Sequence, residues 1–259
     1  MASIYDFPDV YDAVLRSPPD QIETEVNSIR QLLGGRRSVT KGRILELACG
    51  TCAHGILIAK SGFSVTSMDI NPNMLASAQN RMETAGVNIR LIQGDVVDFN
   101  LSDTGFDSAI FMAETFPLIT AYEDVKSHFQ SVRRHLKPGG LYVIDMDKHY
   151  FAPPKREIGV WSEKTVRLGN GQVEVWLEDY PGDWVEGVNR MAMHCRIHQN
   201  NSVYETTDNW NIRYYNPWML SLLAQTLEGW RLKGFFSRHN LNQDIAEESH
   251  YFTVLEKAF

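Results

Sequence analysis

Between residues 40 and 147 the chain alternates short apolar or β-branched runs with segments of helical period, which restricts it to very few architectures. Arg43-Ile44-Leu45-Glu46-Leu47-Ala48, Ser64 to Asp69, "VNIRLIQGD", "FDSAIFM" and "LYVIDM" read as five strands. One helix between them runs to about Lys60 and is stopped by Gly62. A second opens at Asn71-Pro72, with an N-cap and a proline in its first turn, and carries Met74, Leu75, Ala78 and Met82 on one face. A third has Tyr122, Val125, Phe129, Val132 and Leu136 on its apolar face and ends at Pro138-Gly139-Gly140. Upstream, Ile22, Val26, Ile29 and Leu32/Leu33 share a helical face that ends at Gly34-Gly35. Buried strands alternating with helices predict a parallel sheet covered on both faces.

After Pro153-Pro154 the period becomes two. "QVEVWLEDY", "NRMAMHCRIHQ" and "VYETTDNWNIRYY" alternate apolar and polar positions, separated by turn residues at 169–171 and near Asn200, and predict an antiparallel sheet. A helix then starts at Asn216-Pro217, and "GWRLKGFFS" and "SHYFTVLEK" read as two strands returning to the first sheet. The expected fold is α/β: a doubly wound, mainly parallel seven-stranded sheet with an antiparallel β insertion after strand five. Its parts are an N-terminal helical cap (1–39), a core (40–150), the insertion (151–215), and a C-terminal helix with the last two strands (216–259).

Charge narrows the partners. A net charge of -7 argues against binding a phosphate backbone, so no nucleic acid is expected. No apolar run approaches the ~20 residues of a membrane span, and the N-terminus lacks an apolar leader, so the expectation is no membrane and a cytoplasmic location. Cys49, Cys52 and Cys195 are too few to staple a chain of 259 residues.

The stretch "ELACGTCAHG", Glu46 to Gly55, has two readings. Cys49 and Cys52 form a CxxC at a helix start, where redox thiols are placed, but a zinc site would need further ligands from distant segments such as His54 and Cys195. No metal is expected. The other reading is a small-residue turn between the first strand and its helix, the usual ligand contact in open α/β sheets. Asp69 ends the next strand 19 residues after Gly50, where a carboxylate can accept both hydroxyls of a ribose. NAD(P) and S-adenosylmethionine both satisfy this pattern.

Five features in order then resemble the Rossmann-like (class I) S-adenosylmethionine-dependent methyltransferases: "ELACGTC", "MDINPNML", "QGDVVDF", "FDSAIFMAE" and "HLKPGGLYVIDM". Ala48 and Cys52 stand where that family usually has its first and third loop glycines. The resemblance implies S-adenosylmethionine as methyl donor. It implies that Glu46 holds the donor's ammonium group through the loop formed by Ala48 and Gly50, that Asp69 binds the ribose, and that Ile70 flanks the adenine. Asp95 would accept from the adenine amino group, the Val96 backbone would meet the ring nitrogen, and Met74 and Met112 would complete the donor contacts. Tyr5 and Tyr11 resemble the tyrosines of an N-terminal segment that closes over the donor, where a ring can meet a sulfonium by cation–π contact.

Methyl transfer from a sulfonium is an in-line displacement that needs alignment more than an obligatory base. Polar residues at the ends of strands four and five are therefore the expected acceptor contacts: Glu114, Asp147 and His149 first, with Asp145 beside them. The insertion resembles that of small-molecule N-methyltransferases, including those acting on amino sugars. This implies a small-molecule acceptor with nitrogen favoured over oxygen or sulfur, a lid rich in Trp161, Trp176, Trp184, Trp210, Tyr214 and Trp218 with Arg213 or His194 on polar groups, and a homodimer paired through the sheet. The competing classes are an NAD(P)-dependent oxidoreductase and an inactive S-adenosylmethionine-binding protein on the same fold.

Overall fold

The computed structural model describes residues 2–34, 42–148, 159–169 and 171–258, with Trp161 and Ser162 as backbone only. His149, Pro153-Pro154 and the first residues of the expected insertion lie outside these. The alternating region contains β1 (Arg43–Leu47), β2 (Ser64–Asp69), β3 (Arg90–Gln93), β4 (Phe106–Phe111) and β5 (Leu136–Asp147). Two helices precede it, α1 (Pro8–Val14) and α2 (Pro19–Gly34), and α3 (Ala53–Lys60), α4 (Pro72–Ala85) and α5 (Tyr122–His135) lie between its strands. The expected cap of α4 is formed: the Asn71 side chain accepts from the N–H groups of Asn73 and Met74, and Gly86 closes the helix in the left-handed region.

An antiparallel sheet follows in the order β6 (Gly159–Leu168), β7 (Gly171–Asp183), β8 (Val188–Gln199), β9 (Ser202–Arg213). After α6 (Pro217–Thr226), β10 (Trp230–Ser237) and β11 (His250–Lys257) return to the first sheet, whose order is β10-β11-β5-β4-β1-β2-β3. Pairing is antiparallel at β10–β11 and β11–β5 and parallel elsewhere. The seven-stranded sheet with its insertion is the expected architecture.

Successive strand residues point to opposite faces. Leu45, Leu47, Tyr142 and Ile144 therefore pack with Phe129 of α5 on one side, while Ile44, Ile110 and Val143 pack with Ile29 of α2 and Ile58 of α3 on the other. Each fully buried aliphatic or aromatic side chain contributes about 1.5–3 kcal/mol to holding the layers together. A third cluster was not legible beforehand: Ile4, Val10 and Val14 pack against Val173, Val175, Met193 and Ile197, so the N-terminal segment rests on the insertion sheet.

Two local expectations are corrected. Tyr122 begins α5 but is 55% exposed, so the apolar face starts at Val125. Pro138-Gly139-Gly140 do not end α5; the chain is already extended at Leu136 and the three residues lie within β5. Pro138 disfavours helical backbone at Lys137, so the break falls before the proline. Among the described residues no helix is long and apolar enough to cross a membrane.

Candidate donor and acceptor site

Strand order reverses between β1 and β4, and ligands of open α/β sheets sit outside the carboxyl ends of strands at such a point. A cavity of about 430 Å³ opens there, walled by Tyr5, Tyr11, Ala48, Asp69, Ile70, Asp95, Val96, Phe111, Leu118 and Trp210 among others. A small hollow of about 30 Å³ shares Tyr11 and Ala48 with it and continues to Glu46, Cys49, His54, Met112 and Ala113. Of the expected donor contacts, Tyr11, Glu46, Ala48, Asp69, Ile70, Asp95, Val96 and Met112 thus line one of two adjoining spaces, and Gly50 sits against the Tyr11 ring. Met74 does not. It is buried within α4, where the helical period points it inward. A larger open groove of about 670 Å³ lies on the helix face between α2, α3 and α4 and shares Arg16 and Ala53 with the small hollow.

The turn after β1 is shaped by alternate left-handed residues: Ala48 (φ 49°), Gly50 (φ 54°) and Cys52 (φ 62°). Asp69 fixes it, accepting from the Gly50 N–H at 2.7 Å through one carboxylate oxygen and from the Asn71 N–H at 2.9 Å through the other. Burial raises the Asp69 pKa and these N–H groups pull it back, so the carboxylate is held at the cavity wall by the loop it organises.

Glu46 is buried beneath the same turn. Its carboxylate accepts from Ser67 Oγ at 2.6 Å, the Gly55 N–H at 3.0 Å and Cys52 Sγ at 3.3 Å. Burial raises its pKa against these donors. A Cβ on Gly55 would overlap the Glu46 carboxylate and lie 2.7 Å from Cys52 Sγ, so this helix position requires glycine.

Cys52, not Cys49, is the fully buried thiol; it faces Glu46 and Ser67 and lines neither space. Cys49 is half-buried on the wall of the small hollow. Both thiols have raised pKa values: for Cys49 the hydrogen bond to Cys52 and burial are the main causes, and for Cys52 that same bond lowers the value while burial and the Glu46 carboxylate together raise it, opposing thiolate chemistry. With Glu46 these thiols come within 4.8 Å of one another, a donor set occupied by the loop's own hydrogen bonds.

The N-terminal segment closes the cavity. The Tyr5 and Tyr11 rings meet at 5.6 Å, tilted by 37°, and burial pushes the Tyr5 hydroxyl up to about 12. Asp12 of α1 accepts from Thr51 Oγ1 at 2.8 Å and pairs with Arg81 of α4, joining lid, loop and helix. Ser3 Oγ and the Ile4 N–H donate to Asp208 of β9 at 2.5 and 2.9 Å.

At the far end of the cavity Ile70 is 63% exposed, and Asp95 accepts from the Val97 N–H at 2.8 Å. Val96 is set by His128, buried in α5, which bonds the Val96 carbonyl at 2.7 Å and the Tyr142 hydroxyl at 2.6 Å.

On the acceptor side, Glu114 and Asp147 meet at His250, whose Nε2 lies 3.0 Å from Glu114 and 3.4 Å from Asp147. Ala113 and Glu114 are consecutive left-handed residues (φ 55° and 56°), a conformation that costs about 1–3 kcal/mol for each non-glycine. Arg238 joins Glu114 to Asp145 and to Glu25, and Glu25 bonds His54 at 2.7 Å. His54 is thus a buried partner of Glu25, and its pKa is raised by that carboxylate against burial. Glu25, Arg238 and His250 carried no local sequence signal; they reach the site from α2, the end of β10 and the start of β11.

In the insertion, Trp210 alone of the expected aromatics walls the large cavity among the described residues. His194 stacks on Trp176 at 5.1 Å and bonds Thr207, while Arg213 donates to the carbonyls of Thr120 and Glu186, so both are occupied structurally. Trp184 and Trp218 are exposed.

Comparison with known proteins gives one direction. Residues 44–140 match the family model described as a methyltransferase domain. The Bacillus subtilis (strain 168) protein YqeM, named for a methyltransferase, is 34% identical over 110 residues, 42% of this chain and 44% of that protein. The dTDP-3-amino-3,4,6-trideoxy-alpha-D-glucopyranose N,N-dimethyltransferase of Streptomyces venezuelae is 27% identical over 140 residues, 54% and 56% of the two chains. The chain spans about half the length of the curated relatives it matches. A crystal structure of an S-adenosylmethionine-dependent methyltransferase from Clostridium acetobutylicum superposes with a TM-score of 0.79 over 98% of both chains at 16% identity, a likeness of fold.

Proposed function

We propose that this chain, whose residues 44–140 are a methyltransferase domain, transfers a methyl group from S-adenosylmethionine to the nitrogen of a small-molecule amine. The observation that carries this reading is the Asp69 carboxylate, held by Gly50 and Asn71 at the wall of a 430 Å³ cavity at the strand-order reversal. That volume lies within the range of small-ligand pockets.

The residues present fit the donor. Asp69 binds the ribose hydroxyls, Ile70 and Val96 sandwich the adenine, and Asp95 accepts from its amino group. Glu46, through the loop it supports, sets the backbone that meets the aminoacyl end. Tyr5 and Tyr11 cover the sulfonium side and exclude water. When bound, S-adenosylmethionine supplies an electrophilic methyl carbon on a sulfonium that leaves as a neutral thioether. The protein's task is to align a nitrogen lone pair behind that carbon, and positioning of this kind lowers a barrier by about 7–11 kcal/mol. Glu114 and Asp147 orient the acceptor from the ends of β4 and β5. The choice of nitrogen rests on these carboxylates, which suit a cationic amine, and on the amino-sugar N,N-dimethyltransferase similar to this chain.

Calorimetric titration tests the donor. S-adenosylmethionine and S-adenosylhomocysteine are expected to bind and NAD is not; binding of NAD alone would overturn the reading. Turnover of labelled donor against amines, phenols, thiols and carboxylates tests the acceptor. Methylation is expected in the amine set, and turnover confined to another set would reassign the nucleophile.

A further inference from the structure

Arg238 is only 2% exposed, yet its guanidinium reaches carboxylates from three elements. Nη1 lies 3.0 Å from Asp145 Oδ2 on β5 and 3.3 Å from Glu114 Oε1 beyond β4, and Nε lies 3.3 Å from Glu25 Oε1 on α2. A buried arginine is costly unless it is fully paired, and here the pairing ends on one partly exposed carboxylate, Glu114. The same Glu114 oxygen is met from the other side by His250 Nε2 at 3.0 Å. His250 stands opposite Asp147 in the β5–β11 ladder, and its Nδ1 is bonded to Ser249 Oγ at 2.7 Å. Arg238, just past β10, and His250, at the start of β11, therefore clamp one oxygen of Glu114.

What they hold is conformationally unfavourable. Ala113 and Glu114 are both left-handed at the end of β4, directly after Met112, and Met112 and Ala113 wall the hollow beside Cys49 and Glu46. Left to its preferences the turn would relax and carry Glu114 elsewhere. Glu114 thus sits at the carboxyl edge of the sheet, one residue beyond the wall of that hollow, at the strand ends outside which ligands of open α/β sheets are held.

We propose that Arg238 and His250 are positioning residues that hold the Glu114 carboxylate against the methyl-transfer position, where it binds a cationic amine and takes its proton. The proposal rests on the methyltransferase reading above. In the step, the ammonium first gives one proton to a Glu114 oxygen, and the lone pair so freed forms the N–C bond as the C–S bond breaks. The C–S electron pair stays on sulfur, the methylated nitrogen carries the positive charge, and the proton passes from Glu114 to water.

Paired ligands test this without knowledge of the acceptor. S-adenosylhomocysteine is neutral at sulfur, whereas sinefungin carries a protonated amine where the methyl sulfonium would be. Calorimetric titration of the full chain is expected to show Glu114→Gln weakening sinefungin about tenfold and S-adenosylhomocysteine less than twofold, from the loss of one nearby charge in a partly screened site. His250→Leu, at a part-exposed position, is expected to shift the ratio in the same direction by about threefold. Arg238→Lys should keep most of the wild-type ratio, and Arg238→Met should lose it if circular dichroism shows the variant folded. Equal weakening of both ligands, or an unchanged ratio in Glu114→Gln and His250→Leu, would overturn the positioning role alone. Failure of the wild-type chain to bind either ligand would overturn the methyltransferase reading, and this proposal with it.

Discussion

At the scale of single residues, Asp69 does two jobs that a substitution can separate. Its oxygens order the loop through the Gly50 and Asn71 N–H groups, and in the proposed function they also accept from the ribose. Hydrogen bonds to a charged group contribute about 1.5–3 kcal/mol each, so Asp69→Ala is expected to weaken S-adenosylhomocysteine about 100-fold. Asp69→Asn, which keeps one acceptor oxygen, should lose about tenfold. Calorimetry measures both, and circular dichroism should show the fold retained; unchanged affinity in Asp69→Ala would remove the ribose assignment. The position of Asp69 was legible because strand end and spacing from Gly50 are local properties of the sequence. The roles of Cys49 and Cys52 were not, because which thiol faces inward depends on the left-handed backbone at Cys52, and a family pattern with glycine there does not reveal it.

At the scale of elements, helix and strand identities followed from period and caps, as at Asn71 and Gly86, while boundaries that depend on competing breakers did not, as at Pro138. The seat of α1 was also illegible: its apolar residues fit any apolar face, and only tertiary structure shows that they choose the insertion sheet. What fastens α1 to the loop is Asp12, only 6% exposed at its side chain and shared among Thr51, Arg81 and Arg16. Removing it should loosen the lid without disturbing either sheet, since α1 keeps Val10 and Val14 against β7 and β8. Asp12→Ala is therefore expected to weaken S-adenosylhomocysteine about tenfold while changing the melting temperature by only a few degrees. Faster amide exchange across 8–14 would accompany it. Full affinity with unchanged exchange would mean that the apolar contacts alone hold the lid.

At the scale of the whole molecule, the legible part is the order of elements and the illegible part is what converges from far apart in the chain. Glu25 and Arg238 are separated by most of the sequence, and nothing local marks them as partners. The same holds for His128, which lies on the core face of α5 and connects the sheet to the adenine side of the cavity through Tyr142 and Val96. Burial drives its pKa down from 6.5 to about 4, so the native chain keeps it neutral. Above pH 6.5 neither folded nor unfolded His128 is protonated, and its contribution to stability is complete. Between pH 6.5 and 4 only the unfolded chain takes the proton, so stability falls as pH falls, by about 1.4 kcal/mol per unit and about 3 kcal/mol in all. Other groups move the opposite way: burial raises Asp69 and Glu46, and the Glu25 carboxylate raises His54 against burial, so their folded forms take up protons first and gain stability on acidification. A difference between two proteins isolates the histidine. His128→Gln keeps hydrogen-bonding capacity toward Val96 and Tyr142 but cannot titrate, so urea unfolding at pH 8, 6.5 and 5 should show wild type losing about 2 kcal/mol relative to the variant between the last two values. The variant should start less stable at pH 8, having lost the fit of the ring between Phe111 and Phe129. Parallel pH profiles for the two proteins would mean that His128 has the same pKa folded and unfolded, and that burial does not hold it neutral.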